Sequence, residues 1–368
     1  MLLDPNGWAL EHEFVALLEH LSDDLAECLS TETHGSAIEY ASDPHPCAGD
    51  AAEDILDLRL RLTNELGDLG RTVAAAGTHP FVTWEETEVA EAPRSQVVHR
   101  TMRELARREP TFAMHVHVAV PDPDGAVDVA NRMRAHLPLL LALSAYSPYW
   151  QGRDSGMASA RIPIFQAFPR SGLPRAFTGY ADYVNTLETL IESGAFPEPN
   201  FVWWDLRLQP KFGTVEVRIM DAQTDADRNG VLAAVTQSLV RLEALEGYAP
   251  AALVESPEVL EENRFLAARD GVAAEVVDPV ARRRVPLTEQ LEDLVQACMP
   301  HARELGCEPE LERVFELVDH PADRIQRQLA GPYTELTGLV AELSRRFAGP
   351  RLAAASDRQP ERSAVPRR

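Results

Sequence analysis

The sequence lacks the cysteine patterns of a disulfide scaffold or of a structural zinc site. Its few cysteines are scattered, and no two of them form a CxxC pair; they are Cys28, Cys47, Cys298 and Cys307. Small disulfide-rich folds and structural zinc sites both depend on closely spaced cysteines. This cysteine usage therefore fits a protein of a reducing compartment.

Long apolar runs are missing as well. The N-terminal residues show no basic region followed by the apolar stretch of a signal peptide. No run approaches the roughly 20 apolar residues that a membrane-spanning helix needs. We therefore expect a cytoplasmic protein with no membrane partner.

Positive charge is scarce. The chain has 35 Lys and Arg residues against 58 Asp and Glu residues, which gives a formal net charge of -23 at pH 7. Such an excess of negative charge repels a phosphate backbone, so nucleic-acid binding is disfavoured. Solubility is the simplest interpretation of the overall acidity, and only clustered acids bear on a site.

The common phosphate-binding loops are absent too. The sequence contains neither GxxxxGK[ST] nor a GxGxxG that follows a predicted strand. If a nucleotide binds, metal ions and arginines on a sheet must hold its phosphates.

What is present is the composition of a soluble globular protein, with 45% hydrophobic residues in 368. Period-two alternation predicts strands at residues 8–15, 36–41, 111–120 and 213–221. Helical periodicity predicts helices at residues 52–76, 124–143, 181–193, 225–246, 287–305 and 332–347. Because these elements mix without regular alternation, we expect an α+β fold with an antiparallel or mixed sheet.

The chain is short enough for one large domain. We expect a single functional domain over residues 1–349, with a helical C-terminal lobe from about residue 250. The stretch 350–368 is polar, small and locally basic, which predicts a disordered tail.

Two predicted strands carry unusual polar residues on one face. His115 and His117 lie opposite the apolar face of the strand at 111–120, and this pair favours a metal or phosphate site as much as a structural role. Glu216 and Arg218 share a face of the strand at 213–221. They form either a surface ion pair or, in an ATP site, a metal ligand beside a phosphate ligand.

The first two predicted strands add carboxylates. Glu11 and Glu13 share one face, and Glu39 lies on the next strand. Paired carboxylates repel unless a cation lies between them. A solvated face would explain one such strand, but the repeated pattern favours a site. Oxygen-rich ligands with one or two imidazoles suit Mg²⁺ or Mn²⁺ better than zinc, and these cations suggest phosphoryl chemistry.

Taken in order, these motifs resemble the glutamate-cysteine ligase type 2 group of carboxylate-amine ligases, whose core is similar to that of glutamine synthetase. The resemblance runs from about residue 10 to residue 347. It rests on residues 11–14, 38–39, 75–81, 114–118, 143–156, 203–207, 214–218 and 262–264.

The resemblance implies a curved antiparallel or mixed sheet that forms a funnel surrounded by helices, with ATP entering one end and the amino-acid substrate the other. It implies divalent-metal ligands at Glu11, Glu13, Glu39, His115 and Glu216. It further implies that Arg218 contacts the transferring phosphoryl group and that His117 lines the metal or phosphate site. Arg153 and Arg161 are further candidates for binding a phosphate or a substrate carboxylate.

The implied activity joins a glutamate-like carboxylate to an amine through an acyl phosphate, with ATP and Mg²⁺ or Mn²⁺ as cofactors. The implied partners are small amino-acid and amine substrates, and a homo-oligomer is left open. Two alternatives remain. The stretch between Glu13 and Glu39 is shorter than the family's, which suits a catalytically weakened regulatory relative that binds a nucleotide or an amino acid. A metal-dependent amide hydrolase would use the same ligands without ATP.

Overall fold

The computed structural model describes residues 1–108, 110–289, 291–331 and 334–349. The predicted tail at 350–368 lies outside the described residues, as do the first two residues of the helix predicted at 332–347.

The strands are short and form small sheets. They are β1 (Leu2–Leu3), β2 (Leu29–Thr31), β3 (Ile38–Tyr40), β4 (Thr72–Val73), β5 (Ala113–Ala119), β6 (Tyr149–Trp150), β7 (Arg153–Asp154), β8 (Ser171–Gly172), β9 (Trp203–Trp204), β10 (Leu206–Gln209), β11 (Thr214–Asp221), β12 (Glu275–Asp278) and β13 (Arg283–Pro286).

Helices supply most of the remaining regular structure, which makes the class α+β. They are α1 (Phe14–Leu17), α2 (Asp23–Cys28), α3 (Ala48–Asp68), α4 (Pro93–Met102), α5 (Pro123–Met133), α6 (Leu137–Ser144), α7 (Arg161–Phe165), α8 (Tyr180–Glu192), α9 (Ala226–Leu245), α10 (Ala251–Val254), α11 (Pro257–Asp270), α12 (Leu291–Leu305), α13 (Glu308–Glu312), α14 (Val314–Asp319), α15 (Ala322–Ala330) and α16 (Thr337–Phe347).

The largest sheet among the described residues has three antiparallel strands in the order β10-β11-β5. Its apolar face follows from the alternation of β11, in which Val215, Val217 and Ile219 are fully buried. Helices α5 and α6 pack against β11, and α9 packs against β5. This burial turns the alternate, polar residues of the same strands toward the opposite side of the sheet.

The strands predicted at 111–120 and 213–221 are confirmed as β5 and β11, and the strand predicted at 36–41 is confirmed in part as β3. The strand predicted at 8–15 is wrong. Its C-terminal part begins α1, because Phe14, Leu17, Leu21 and Leu25 recur at the spacing of a helical face. These leucines and Phe14 are buried in one cluster with leucines of α3.

Two predicted helices end differently from the expectation. The helix predicted at 124–143 is split into α5 and α6 by a 3₁₀ turn, Arg134–His136, which is followed by Pro138 in the first turn of α6. Proline suits a first helical turn and not a helix interior. The helix predicted at 52–76 ends at Asp68, because Gly70 takes a left-handed conformation with φ of 73° and the chain then forms β4.

Residues 251–349 contain the helices α10–α16 and also the hairpin β12–β13. The C-terminal helices are not separate from the rest, since α11 packs against α6 and α12 packs against α9. The single domain over residues 1–349 stays a prediction. Within the described part of the chain, we find no helix with the length and apolar character needed to cross a bilayer.

Candidate functional site

A cleft of about 590 Å³ opens on the polar face of the central sheet. The strands β5, β10 and β11 line one wall, and β2, β3, α3 and α4 line the other. Its charged and imidazole lining residues are Glu32, His34, Glu39, Arg59, Arg94, His115, His117, Arg161, Arg207, Glu216 and Arg218.

A row of three side chains crosses the central sheet within the wall that β5, β10 and β11 form. We call this row, together with Arg218, the floor of the cleft. The register pairs Arg207 of β10 with Glu216 of β11, and Glu216 with His117 of β5. Directly opposite residues share a face and contact one another. The Arg207 Nε donates to Glu216 Oε2 at 2.5 Å, and His117 Nε2 lies 3.6 Å from Glu216 Oε1.

Arg218 adds a second guanidinium to the buried carboxylate of Glu216. Its Nη1 donates to Glu216 Oε1 and lies 3.3 Å from His115 Nδ1. Burial alone would raise the pKa of Glu216, but the guanidinium groups of Arg218 and Arg207 hold that pKa below its usual range. Glu216 is therefore an anion clamped by two arginines.

The two histidines are neutral at neutral pH. Burial, followed by the repulsion from Arg218, holds the pKa of His115 well below its usual value. Burial also lowers the pKa of His117, although Glu216 opposes the shift. Each ring can therefore accept a hydrogen bond through an unprotonated nitrogen.

An acidic pair lies on the other wall. Burial, and then the neighbouring carboxylate of Glu32, raises the pKa of Glu39 to about 7. Glu39 also accepts from Ser30 Oγ at 3.3 Å, across the β2–β3 pair. The positive charges of Arg218 and Arg94 lower the pKa of Glu39 and partly offset this rise. Because Arg218 lies on the sheet wall, the charges of the two walls affect each other.

Arg161 lies behind Arg218. The pairing of β11 with β5 is irregular between Val217 and Met220. Arg161 caps this bulge, because its Nη1 donates to the carbonyl oxygen of Ile219 at 2.9 Å and its Nη2 to that of Arg218 at 3.1 Å. A bulge re-aims side chains locally. Arg161 therefore fixes the backbone that carries Arg218.

Asp221 holds this support in place. Its carboxylate is fully buried and accepts from Tyr146 N at 2.8 Å, Ser147 Oγ at 2.7 Å and Ser159 Oγ at 2.9 Å. Arg161 Nη1 lies 3.6 Å away. Burial raises the pKa of Asp221, while Arg161 and these donors oppose the rise.

The structure brings six of the nine predicted site residues to the cleft: Glu39, His115, His117, Arg161, Glu216 and Arg218. It does not bring the other three there. Glu13 is exposed and pairs with Arg71, whose Nε donates at 2.7 Å. Glu11 is half-buried beside β1, where its backbone N donates to Leu2. Arg153 is exposed on the β6–β7 hairpin.

Sequence reasoning missed six charged or imidazole residues of this region: Glu32, His34, Arg59, Arg94 and Arg207 in the lining, and Asp221 behind it. Arg207 carried a usable signal, because it is the polar residue of the alternating stretch Leu206, Arg207, Leu208. Glu32 follows β2 without a local pattern, and its partner Glu39 is known only from the pairing of β2 with β3.

The donor set fits a divalent cation at one place. Among the residues that the structure describes, no group of three or more His, Cys, Asp or Glu side chains is arranged to hold a metal ion. Mg²⁺, however, usually keeps several waters and binds one or two carboxylates together with substrate phosphates. Glu32 and Glu39 fit that requirement, whereas arginines already hold both oxygens of Glu216.

Comparison of the sequence with known families and proteins gives consistent matches. The sequence model of glutamate-cysteine ligase family 2 matches residues 2–345. A Rubrobacter xylanophilus protein provisionally named glutamate–cysteine ligase 2-1 is 36% identical over 348 residues, or 94% of this chain and 92% of that protein. A Thermobifida fusca protein provisionally named glutamate–cysteine ligase 2 is 34% identical, over 89% of this chain and 84% of its own.

Solved structures show the same fold at low identity. A crystal structure of glutamate–cysteine ligase from Francisella tularensis in complex with AMP has a TM-score of 0.68 and 11% identity, over 95% of this chain and 86% of that one. A bifunctional glutathione synthetase from Pasteurella multocida has a TM-score of 0.66 and 14% identity, over 90% of this chain and 48% of that one.

The buried pair of Arg161 and Asp221 behind Arg218 leads to a prediction about stability. Asp221→Asn should lower the free energy of unfolding by about 3–5 kcal/mol, because it leaves the buried Arg161 uncompensated and places an amide donor among three other donors. Urea denaturation measures the change. Asp227→Asn is the matched control, since Asp227 is exposed and pairs with Arg313 at 3.4 Å. Equal effects of the two substitutions would contradict the role of Asp221.

Proposed function

The chain belongs to glutamate-cysteine ligase family 2, and on that premise we propose that it is an ATP-dependent ligase that joins a glutamate-like carboxylate to an amine through an acyl phosphate. The residues of the site do not identify the amine substrate. Cysteine is the first candidate, because the family is named for glutamate–cysteine ligase. The funnel expected from the resemblance is part of the proposal, with the sheet β10-β11-β5 as one wall.

The observation that carries the proposal is the clamped carboxylate in the cleft. Arg207 and Arg218 bind Glu216 from two sides, and the Nε of Arg218 is buried without a hydrogen-bond partner among the described groups. The guanidinium of Arg218 stays partly exposed in the cleft lining, so it can bind an anionic ligand there while Glu216 holds it in place.

The chemistry explains why fixed cations are needed. A carboxylate is a poor electrophile, so the terminal phosphoryl group of ATP is first transferred to it, which releases ADP. The amine then attacks the carbonyl carbon, and phosphate leaves. Negative charge accumulates on phosphoryl or carbonyl oxygens in both steps, and preorganised donors placed there lower the barriers.

We assign roles in this scheme to five residues of the cleft. Arg218 contacts the transferring phosphoryl group, and Glu216 keeps the guanidinium in position. His115 and His117, which are neutral, line the phosphate path. Arg161 holds the strand that carries Arg218, and we propose that it acts by positioning.

Glu32 and Glu39 are the residues that we propose would hold Mg²⁺. The bound cation would neutralise phosphate charge and screen the repulsion between the two carboxylates. The protein's contribution is to keep both side chains on the wall opposite Arg218, so that phosphates are held between the two walls. Of the predicted metal ligands, this assignment keeps Glu39, gives other roles to His115 and Glu216, and omits Glu11 and Glu13, which lie outside the cleft lining.

The three candidate functions are separated by one assay. The full chain is incubated with ATP, Mg²⁺, glutamate and a panel of amines that includes cysteine, and ADP release is followed with mass spectrometry of the product. Ligation predicts ADP release that depends on both substrates and a product equal to their sum less one water. Product formation without ATP would indicate the hydrolase, and ATP binding without turnover the regulatory relative.

The regulatory alternative, which the short segment between Glu13 and Glu39 suggested, would use the same arginines to bind a nucleotide, so turnover is what separates it from a ligase. That segment contains α1, a 3₁₀ helix at Leu18–His20, α2 and β2, and β2 leads to Glu32 at the cleft.

Glu39→Gln should weaken Mg²⁺-dependent binding of ATP by about tenfold or more, because a neutral amide is a poorer ligand for a hard cation. Titration calorimetry with and without Mg²⁺ measures this. Glu53→Gln, an exposed change on α3, should behave like wild type. A Glu39→Gln protein with an unaltered Mg²⁺ dependence would remove Glu39 from the metal site.

Arg218→Lys should reduce steady-state ADP release by on the order of 10²–10³ at saturating substrates, because lysine keeps the charge but loses the planar fork that grips two oxygens. Arg303→Lys is the control, since Arg303 lies in an exposed pair with Glu308. Turnover by Arg218→Lys near the wild-type rate would rule out a contact with the transferring group.

A further inference from the structure

An exposed aromatic ring lies at the rim of the cleft. Residues 210–213 join β10 to β11, and Phe212 at their tip is 61% exposed although it lines the cleft. A large apolar side chain gains nothing from exposure on a hairpin tip. At the mouth of a ligand cleft it offers a flat surface for a ligand to cover.

This ring is linked to the floor of the cleft through one histidine. The rings of Phe212 and His117 meet edge to face, with centroids 5.9 Å apart and planes at 75°. His117 Nδ1 lies 3.0 Å from Thr214 Oγ1, and its Nε2 lies 3.6 Å from Glu216. His117 therefore contacts Phe212 on one side and lies near Glu216, the partner of Arg218, on the other, so an elongated ligand could extend over His117 from Phe212 to Arg218.

The residue beside the ring is unusual for this chain. Lys211 is the only lysine among its 35 Lys and Arg residues. Its Nζ lies 5.4 Å from the centroid of the Phe212 ring. Both residues are exposed on the same four-residue connection, so a ligand that covers the ring also shields the amine from solvent.

The two ends of the path differ in chemistry. The rim offers the exposed aromatic face of Phe212. The floor offers guanidinium groups from Arg207 and Arg218. A ligand that satisfies both ends has a planar apolar part at one end and anionic groups at the other, as a nucleoside triphosphate does.

We propose that the hairpin tip at residues 210–213 is the nucleobase-binding part of the site, in which the ring of Phe212 stacks on the base of the nucleotide while the phosphates extend over His117 toward Arg218. The proposal rests on the proposed function for the identity of the ligand. It adds the direction in which the nucleotide lies and the residue that recognises its base.

The test compares a ligand that has the base with one that lacks it. Dissociation constants of ATP and of inorganic tripolyphosphate, both with Mg²⁺, are measured by calorimetry for the full-length wild type and for Phe212→Ala. Loss of the stacked ring should weaken ATP binding by about tenfold or more, since base–aromatic stacking typically contributes about 1–3 kcal/mol. Tripolyphosphate binding should stay within about twofold.

Two further variants serve as controls for this comparison. Phe212→Trp keeps an aromatic face and should bind ATP about as tightly as wild type. Phe265→Ala removes an exposed phenylalanine of α11 that also lies near a cation, with Arg269 at 5.8 Å, but outside the cleft lining. It should bind both ligands as wild type does.

Labelling of Lys211 gives a measurement on the unchanged protein. An amine-reactive reagent is applied to wild type, and the modification of Lys211 is followed by peptide mass spectrometry. ATP with Mg²⁺ should slow this modification several-fold, and glutamate should not. An undiminished rate at saturating ATP would overturn the placement even if Phe212→Ala failed to fold.

The remaining outcomes are distinct. Wild-type ATP binding that Phe212→Ala leaves unchanged, or an equal loss for ATP and tripolyphosphate, overturns the stacking role and leaves the ligase proposal intact. A wild type that binds neither ligand contradicts the proposed function itself, and the nucleobase assignment with it.

Discussion

The buried carboxylate of Glu216 is the constraint on which the rest of the cleft depends. A carboxylate on a strand whose neighbours are fully buried must be compensated by cations, and Arg207 and Arg218 supply them from two directions. Because both guanidiniums are tied to the same anion, their positions are fixed before any ligand arrives. Preorganised positive groups in a shielded site are what the phosphoryl transfer of the proposed function would need.

Arg207 and Arg218 keep their positions around Glu216 only if the backbone of β11 keeps its shape. A second buried ion pair, between Arg161 and Asp221, stabilises that backbone. The carbonyl groups of Arg218 and Ile219 at the bulge are bound by Arg161, and Asp221 compensates Arg161. Space around Asp221 is tight, because a Cβ at Gly77 would lie 2.6 Å from its Cγ. The loop that carries Ser147 and Ser159 is therefore joined to the strand that presents Arg218, so an effect on turnover can arise far from the reacting atoms.

Local sequence patterns predicted the polar faces of β5 and β11, because residues two apart on a strand share a face whatever its partners are. The same logic could not find Arg207 beside Glu216 or Glu32 beside Glu39, since strand register is set by contacts distant in sequence. At the N-terminus the alternation of Glu11 and Glu13 predicted a strand, and this prediction was wrong. Phe14, Leu17 and Leu21 recur at helical spacing, and their burial against α3 stabilises a helix instead. The class α+β was predictable from the mixture of periods, whereas the small size of the sheets was not.

Anionic and cationic side chains both line the cleft of a chain that is acidic overall. Glu32 and Glu39 face each other on one wall, and burial together with their proximity makes the second ionisation unfavourable. The cationic floor partly offsets this through Arg218. A phosphate chain inserted between the walls would meet donors on one side and repulsion on the other, unless a cation entered with it. For the ligase that we propose, a cation beside Glu32 and Glu39 would remove the repulsion that these carboxylates exert on the phosphates of the nucleotide.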